Sequence, residues 1–143
     1  MSPVAERVIC LVLQMYSNVR RDGRIDDLHH QLELLCEELD RQLKPKLHGQ
    51  MGEIISKYLP QVWVFETELG ACTIVIAADG NARVWRGAEP NRDVTLQWRY
   101  DALARVLKSR SRSSIEPGDY PNVLVQTEKG RAAFNYLKKE LRL

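Results

Sequence analysis

Apolar positions recur every three or four residues up to about residue 59 and every second residue beyond it. Val4, Val8, Leu11, Val12, Met15 and Val19 make one stripe, the spacing of an amphipathic helix. Ser2-Pro3 ahead of it suits a helix start, because proline forfeits no bond at the first helical position. Arg21-Asp22-Gly23 interrupts the pattern. A second stripe then runs through Ile25, Leu28, Leu32, Leu35, Leu39 and Leu43, with Asp27, Glu33, Glu37, Glu38 and Arg41 on its outer side. Pro45 is expected to end this helix, since its ring blocks the next intrahelical bond. A third, shorter helix is predicted from Met51 to Tyr58, with Ile54, Ile55, Tyr58 and Leu59 as its apolar side. Two long helices joined at a glycine predict an antiparallel helical pair at the N-terminus.

From Pro60 the period becomes two. Val62-Trp63-Val64-Phe65 followed by Glu66-Thr67-Glu68 predicts a strand that is buried at its start and solvated on one face at its end. Cys72 to Ala77 predicts a second strand, apolar on both faces, and Ala82 to Trp85 a third. Asp79-Gly80 between them is a hairpin signal of the type I′ kind. Val94, Leu96 and Trp98 alternate with Thr95 and Gln97 in a fourth strand, after a loop carrying Gly87 and Pro90. Tyr100, Leu103, Val106 and Leu107 mark a short helix ending near Lys108, and Ser109 to Pro121 is a polar loop. Val123 to Gln126 reads as a fifth strand. Thr127 is placed to cap a final helix with Ala133, Phe134, Leu137 and Leu141 on its buried side.

Composition agrees with one packed domain. The chain has 143 residues, 44% apolar and 28% charged, which excludes wholesale disorder. The longest apolar run near the N-terminus, Val8 to Leu13, is far too short to span a bilayer. Glu6-Arg7 before it and the lack of a small-residue cleavage site weigh against a signal peptide. Cys10, Cys36 and Cys72 are widely spaced, with no CxxC pair, so neither a zinc ribbon nor a disulfide framework is indicated. A cytoplasmic protein with reduced, buried thiols is expected. The net charge of +2 implies no partner by itself.

Three stretches carry a family resemblance. Gly70-Ala71-Cys72-Thr73-Ile74-Val75-Ile76-Ala77-Ala78-Asp79-Gly80, the strand and helix Asp93-Val94-Thr95-Leu96-Gln97-Trp98 and Tyr100 to Leu107, and the closing Val123-Leu124-Val125 with Gly130-Arg131-Ala132-Ala133-Phe134 follow in order with near-gapless spacing. Together they resemble the sterol carrier protein type 2 family over roughly residues 26 to 141. The resemblance implies an α+β fold, a five-stranded mainly antiparallel sheet covered by helices. The additional N-terminal helical hairpin adds an extension of residues 1–24 to a carrier-like domain of residues 25–143. It departs from the family at Ser109-Arg110 and Ile115 to Pro121, where members commonly carry Gly-Lys turns and a proline-containing helix that helps close a hydrophobic tunnel. Thr127 stands where the family usually has glycine after the last strand.

Catalytic chemistry is not indicated. Glu66 and Glu68 share a strand face, where carboxylates ordinarily keep the surface soluble. Consecutive His29 and His30 point about 100° apart on a helix and do not readily share a metal, even with His48. No phosphate loop or nucleophile elbow occurs. No catalytic residue, metal or cofactor is therefore assigned, and the expected protein is not an enzyme. Residues 99–143 hold 10 basic and 5 acidic groups, and Lys108, Arg110 and Arg112 among them are candidates for a head-group rim or a peripheral membrane contact. No nucleic-acid partner is expected, because no aromatic side chains interleave with these arginines as stacking readers would require.

Two readings stand at this point. In one, Trp63, Phe65, Trp98, Leu103, Leu107, Phe134 and Leu137 line an apolar cavity for an acyl chain, a sterol-like lipid or fatty acyl-coenzyme A. In the other, the same side chains form a filled core, and the chain is an oligomeric scaffold, a homodimer through its N-terminal helices, where Val8, Ile9, Leu11, Val12 and Leu13 exceed one packing face. A void of at least ~300 Å³ between sheet and helices favours the carrier, and a close-packed interior favours the scaffold.

Overall fold

A computed structural model describes residues 23–50, 52–109, 116 and 118–140, those of 137–140 by their backbone alone. The first apolar stripe, Cys10 and thus the first helix of the expected N-terminal pair lie outside the described residues. The remaining elements follow in order. They are α1 (Gly23–Leu47), α2 (Gly52–Ser56), β1 (Gln61–Thr67), β2 (Gly70–Ile76), β3 (Ala82–Arg86), β4 (Val94–Gln97), α3 (Tyr100–Ser109), β5 (Asn122–Val125) and α4 (Glu128–Glu140).

The five strands form one sheet in the order β3-β2-β1-β4-β5. β1 with β2, β2 with β3, and β4 with β5 are antiparallel. β4 returns to lie parallel beside β1, with Trp63 opposite Val94 and Phe65 opposite Leu96. The expected antiparallel meander is therefore one part of a mixed sheet, and β1 is its central strand.

Register sorts the side chains. Trp63, Phe65, Cys72, Ile74, Ile76, Val94 and Leu96 share one face and are buried. Over them lie Leu28, Leu32, Leu35, Leu39 and Leu43 of α1, at steps of three and four residues that keep one side of a helix on the sheet. Ala102, Leu103, Val106 and Leu107 of α3 join the same core. The opposite face is closed at its centre by the loop after β3. The Thr73 hydroxyl donates to the Gly87 carbonyl at 2.7 Å and accepts from the Glu89 amide at 3.1 Å. Arg92 pairs with Glu66 at 3.2 Å and donates to the Thr95 hydroxyl. Thr73, Val64 and Thr95 are buried beneath it.

Two local expectations are corrected. Pro45 lies inside α1, which continues to Leu47. The ring removes only the bond to the carbonyl of Arg41; both residues are exposed, so water can satisfy that oxygen. The β2–β3 turn takes three residues, Ala78 to Gly80, instead of a two-residue type I′ turn. The Gly80 amide donates to the Ala77 carbonyl at 2.9 Å and the Ala77 amide to the Asn81 carbonyl at 2.8 Å. Gly80 alone of the three is glycine, and its φ of 87° supplies the left-handed step that this wider turn requires.

Asp93 joins β1, β4 and α4. Its carboxylate is buried and accepts from the Val62 amide at 2.9 Å and from the Thr127 hydroxyl at 2.6 Å. Its own amide donates to the Val62 carbonyl, and its carbonyl accepts from the Gln126 amide, both at 2.8 Å. Thr127 in turn caps α4 by accepting from the Gly130 amide at 3.0 Å. A Cβ on Gly130 would stand 2.5 Å from the Asp93 carbonyl oxygen, so this glycine lets the helix approach the sheet.

The two described cysteines are core residues. Burial pushes the Cys36 thiol up to about 12, with Asp40, Glu33 and Glu37 adding to it, and the Cys72 thiol up to about 11, with Arg86 opposing the rise. Thiols so disposed are protonated and shielded at neutral pH, the reverse of an activated nucleophile.

Asp93→Ala leaves a backbone donor and a hydroxyl without their acceptor, and unsatisfied groups cost about 1–3 kcal/mol each. A loss of about 3 kcal/mol in urea-melt stability is expected, with Asp93→Asn losing less. Gly130→Ala is expected to lower the melting temperature despite alanine's better helix propensity, measured by circular dichroism. Iodoacetamide at pH 8, read by peptide mapping, is expected to leave Cys36 and Cys72 unlabelled in the native protein and to modify both in denaturant.

Candidate functional site

Where α1 ends, the chain turns at Gly49 and Gln50 into the single-turn helix α2 before entering β1. A helix of five residues cannot cover the space between the end of α1 and α4. Among the described residues this leaves a solvent-open groove of about 590 Å³. Leu43 and Lys46 of α1 form one wall and Ala132, Ala133 and Tyr136 of α4 another. Ile54, Ile55, Tyr58 and Leu59 complete it from α2 and the segment after it. These four are the residues whose spacing predicted an apolar helix face. That face is turned into the groove, with Ile54 46% and Tyr58 39% exposed.

Gln61 lies at the floor and is fully buried. Its amide nitrogen donates to the carbonyls of Tyr58 at 2.6 Å and Lys129 at 3.0 Å. Its oxygen accepts from the Trp63 indole at 2.9 Å. The one polar group at the base of the groove thus spends its hydrogen-bonding capacity on the protein and presents no competing demand to an apolar ligand. At the rim, the Lys46 ammonium donates to the Tyr136 hydroxyl at 2.8 Å.

The residues that sequence reasoning nominated lie elsewhere. Trp63, Phe65, Trp98, Leu103 and Leu107 are buried in the core between sheet and helices. Phe134 is half-buried against it, its ring 5.8 Å from that of Trp63. Trp63 reaches the groove only through its bond to Gln61. The side chain of Leu137, and Arg110 and Arg112, lie outside the described residues. Lys108 pairs with Asp27 at 3.6 Å. Asp27 and Leu43 are sixteen positions apart on α1, about 24 Å at the helical rise, so Lys108 stands well away from this groove. Leu43, Lys46, Gln61, the two alanines and Tyr136 were not singled out as site residues. The pair of alanines on α4 was the available signal, since small side chains on a packing face leave room.

The carboxylates have structural partners. Glu66 pairs with Arg92 and accepts from Gln97 at 3.1 Å. Glu68 accepts from the Tyr100 amide at 3.0 Å and so caps α3. Asp119 binds Arg99 at 3.1 Å and Arg105 at 2.9 Å, and its carbonyl accepts from the Trp98 indole at 2.7 Å. His29 bonds Glu33 one helical turn away at 2.8 Å. Among the described residues, no three His, Cys, Asp or Glu side chains are grouped to hold a metal ion, and no helix is long and apolar enough to cross a membrane.

No protein-family model and no curated protein matches the chain. Among solved structures it is similar to the sterol carrier protein domain 2 of Helicoverpa armigera, at 11% identity and a TM-score of 0.47 over 78% of this chain and 88% of that one. It is similar to the apo form of sterol carrier protein 2 from Yarrowia lipolytica, at 17% identity and a TM-score of 0.42 over 74% and 85% of the two chains. It is also similar to a UbiJ-SCP2 ubiquinone synthesis protein, at 16% identity and a TM-score of 0.41 over 73% and 96%. At these identities and scores the likeness supplies neither a ligand nor a site residue, and the groove is defined by the geometry of this chain.

Proposed function

We propose that this protein is a non-catalytic lipid-binding protein that holds the apolar part of an acyl chain, a sterol-like lipid or a fatty acyl-coenzyme A in the groove between α1, α2 and α4. The observation that carries this reading is the groove itself. It has about 590 Å³, within the range of small-molecule sites, its walls are largely aliphatic and aromatic, and its floor polar group is already satisfied.

The driving force is desolvation, about 0.8 kcal/mol for each methylene taken out of water. Exposed Ile54 and Tyr58 gain most from being covered. The resemblance of the strand, hairpin and closing-helix residues to the sterol carrier protein type 2 family supports the same ligand class. In this reading Trp63 holds the floor through Gln61, while Phe65, Trp98, Leu103 and Leu107 keep the sheet and helices apart at a fixed distance.

Titration with a fluorescent fatty acid tests it. Saturable binding is expected, and lipid is expected in an organic extract of the purified protein. Ala132→Trp, which fills the groove from α4, is expected to weaken binding at least about tenfold, or 1.4 kcal/mol, without lowering the melting temperature. No saturable binding together with a lipid-free extract would overturn the proposal.

A further inference from the structure

We infer that the outer edge of β5 is the surface through which two copies of this chain pair, β5 against β5 about a two-fold axis, so that two five-stranded sheets become one. The inference is independent of the lipid-binding reading, because no residue of β5 lines the groove.

The two edges of the sheet differ. β3 and β5 are its outermost strands, and an edge strand offers unpaired N–H and C=O groups to any strand that meets it. On β3 that edge is guarded. The Asp40 carboxylate of α1 accepts from the Ala82 amide at 2.7 Å, Arg83 and Arg86 put charge on the strand, and Arg86 pairs with Asp26. β5 has no such guard among the described residues. From Tyr120 to Thr127 no residue is charged, in a chain that is 28% charged. α4 turns inward from this edge, its Lys129 carbonyl accepting from the Gln61 side chain on β1 at 3.0 Å. Leu124 is 42% and Tyr120 64% exposed.

The register selects a second copy as the partner. The Trp98 amide donates to the Glu66 carbonyl, so Leu96 and Val94 also turn their backbone groups to β1, and Thr95 and Gln97 turn theirs to β5. Their partners Leu124 and Asn122 face β4, which leaves the N–H and C=O of Val123 and Val125 pointing outward. Pro121, the preceding outward position, has no N–H, and Thr127, the following one, caps α4. One antiparallel self-pairing therefore uses every outward group of the strand. Val123 stands opposite Val125 of the second copy, and Val125 opposite its Val123, with four backbone hydrogen bonds. Leu124 then meets its own copy across the axis in a non-hydrogen-bonded pair, where side chains approach most closely. Exposed Asn122 lies opposite Gln126, a polar pair. Like charges directly opposite weaken such a ladder, and this stretch brings none. Four residues a side make an interface smaller than that of a permanent dimer, so the pairing is reversible and depends on concentration.

Sedimentation equilibrium of the full chain, over about a hundredfold range of concentration, tests it. The average mass is expected to rise with concentration toward twice that of the chain. Leu124→Lys and Leu124→Glu each set like charges against one another at the axis. Each is expected to weaken association at least about tenfold and to leave the melting temperature unchanged, because the side chain is exposed. An equimolar mixture of the two variants is expected to dimerise again, since lysine then meets glutamate. Arg83→Ala, on the opposite edge, is expected to change nothing. A wild-type chain that stays monomeric throughout overturns the inference. So does a dimer that both folded variants leave intact, or a mixture that associates no better than either variant alone.

Discussion

A carboxylate can be buried only where donors surround it, and the donors around Asp93 come from parts of the chain far apart in sequence. Val62 lies at the start of the central strand and Thr127 at the cap of the last helix. When both bond one side chain, the parallel pairing of β1 with β4 and the docking of α4 are set at a single point. Gly130 belongs to the same arrangement, since a side chain there would meet the Asp93 carbonyl and lift the helix away. The position of α4 matters because that helix supplies a wall of the groove. The placement of Ala132 on α4 relative to Leu43 on α1 thus depends on a polar contact at the start of β1, beside Gln61 at the floor of the groove.

The groove is what remains when a short helix is asked to cover a wide gap. α1 is long enough to cross the sheet and fill its face with leucine, and α3 fills the space beside it. α2 has one turn and places its apolar residues over a space that the alanines of α4 do not reach. In a close-packed interior such a gap would cost stability, because its lining loses contacts on one side. Here the gap opens to solvent, and the polar atoms at its base are satisfied internally, so the cost is confined to exposed apolar surface. That cost is relieved when something apolar binds.

Charged side chains elsewhere have a consistent part. Glu68 ends a loop and begins a helix, Asp119 gathers two arginines and an indole, and Arg92 holds a covering loop against the sheet. These groups fix backbone at junctions, which is why pairs that might be read as acid–base partners in the sequence turn out to be spoken for.

The apolar stripes determined α1 and the strands, because burial on one side of a regular element repeats with the period of that element. The cap at Thr127 and the turn near Gly80 were legible for a similar reason, since both depend on a few adjacent residues. The path through Pro45 was not, as it turns on whether one carbonyl faces water. The parallel placement of β4 beside β1 and the site of the groove were decided in three dimensions. Both depend on which faces meet and how far apart helices stand, and apolar residues that fill a core and those that line a hollow are the same residue types. Trp63, Phe65, Leu103 and Leu107 had the composition of a pocket and the positions of a core, whereas Ile54, Tyr58 and two alanines line the groove because, among the described elements, the one-turn α2 is too short to cover them.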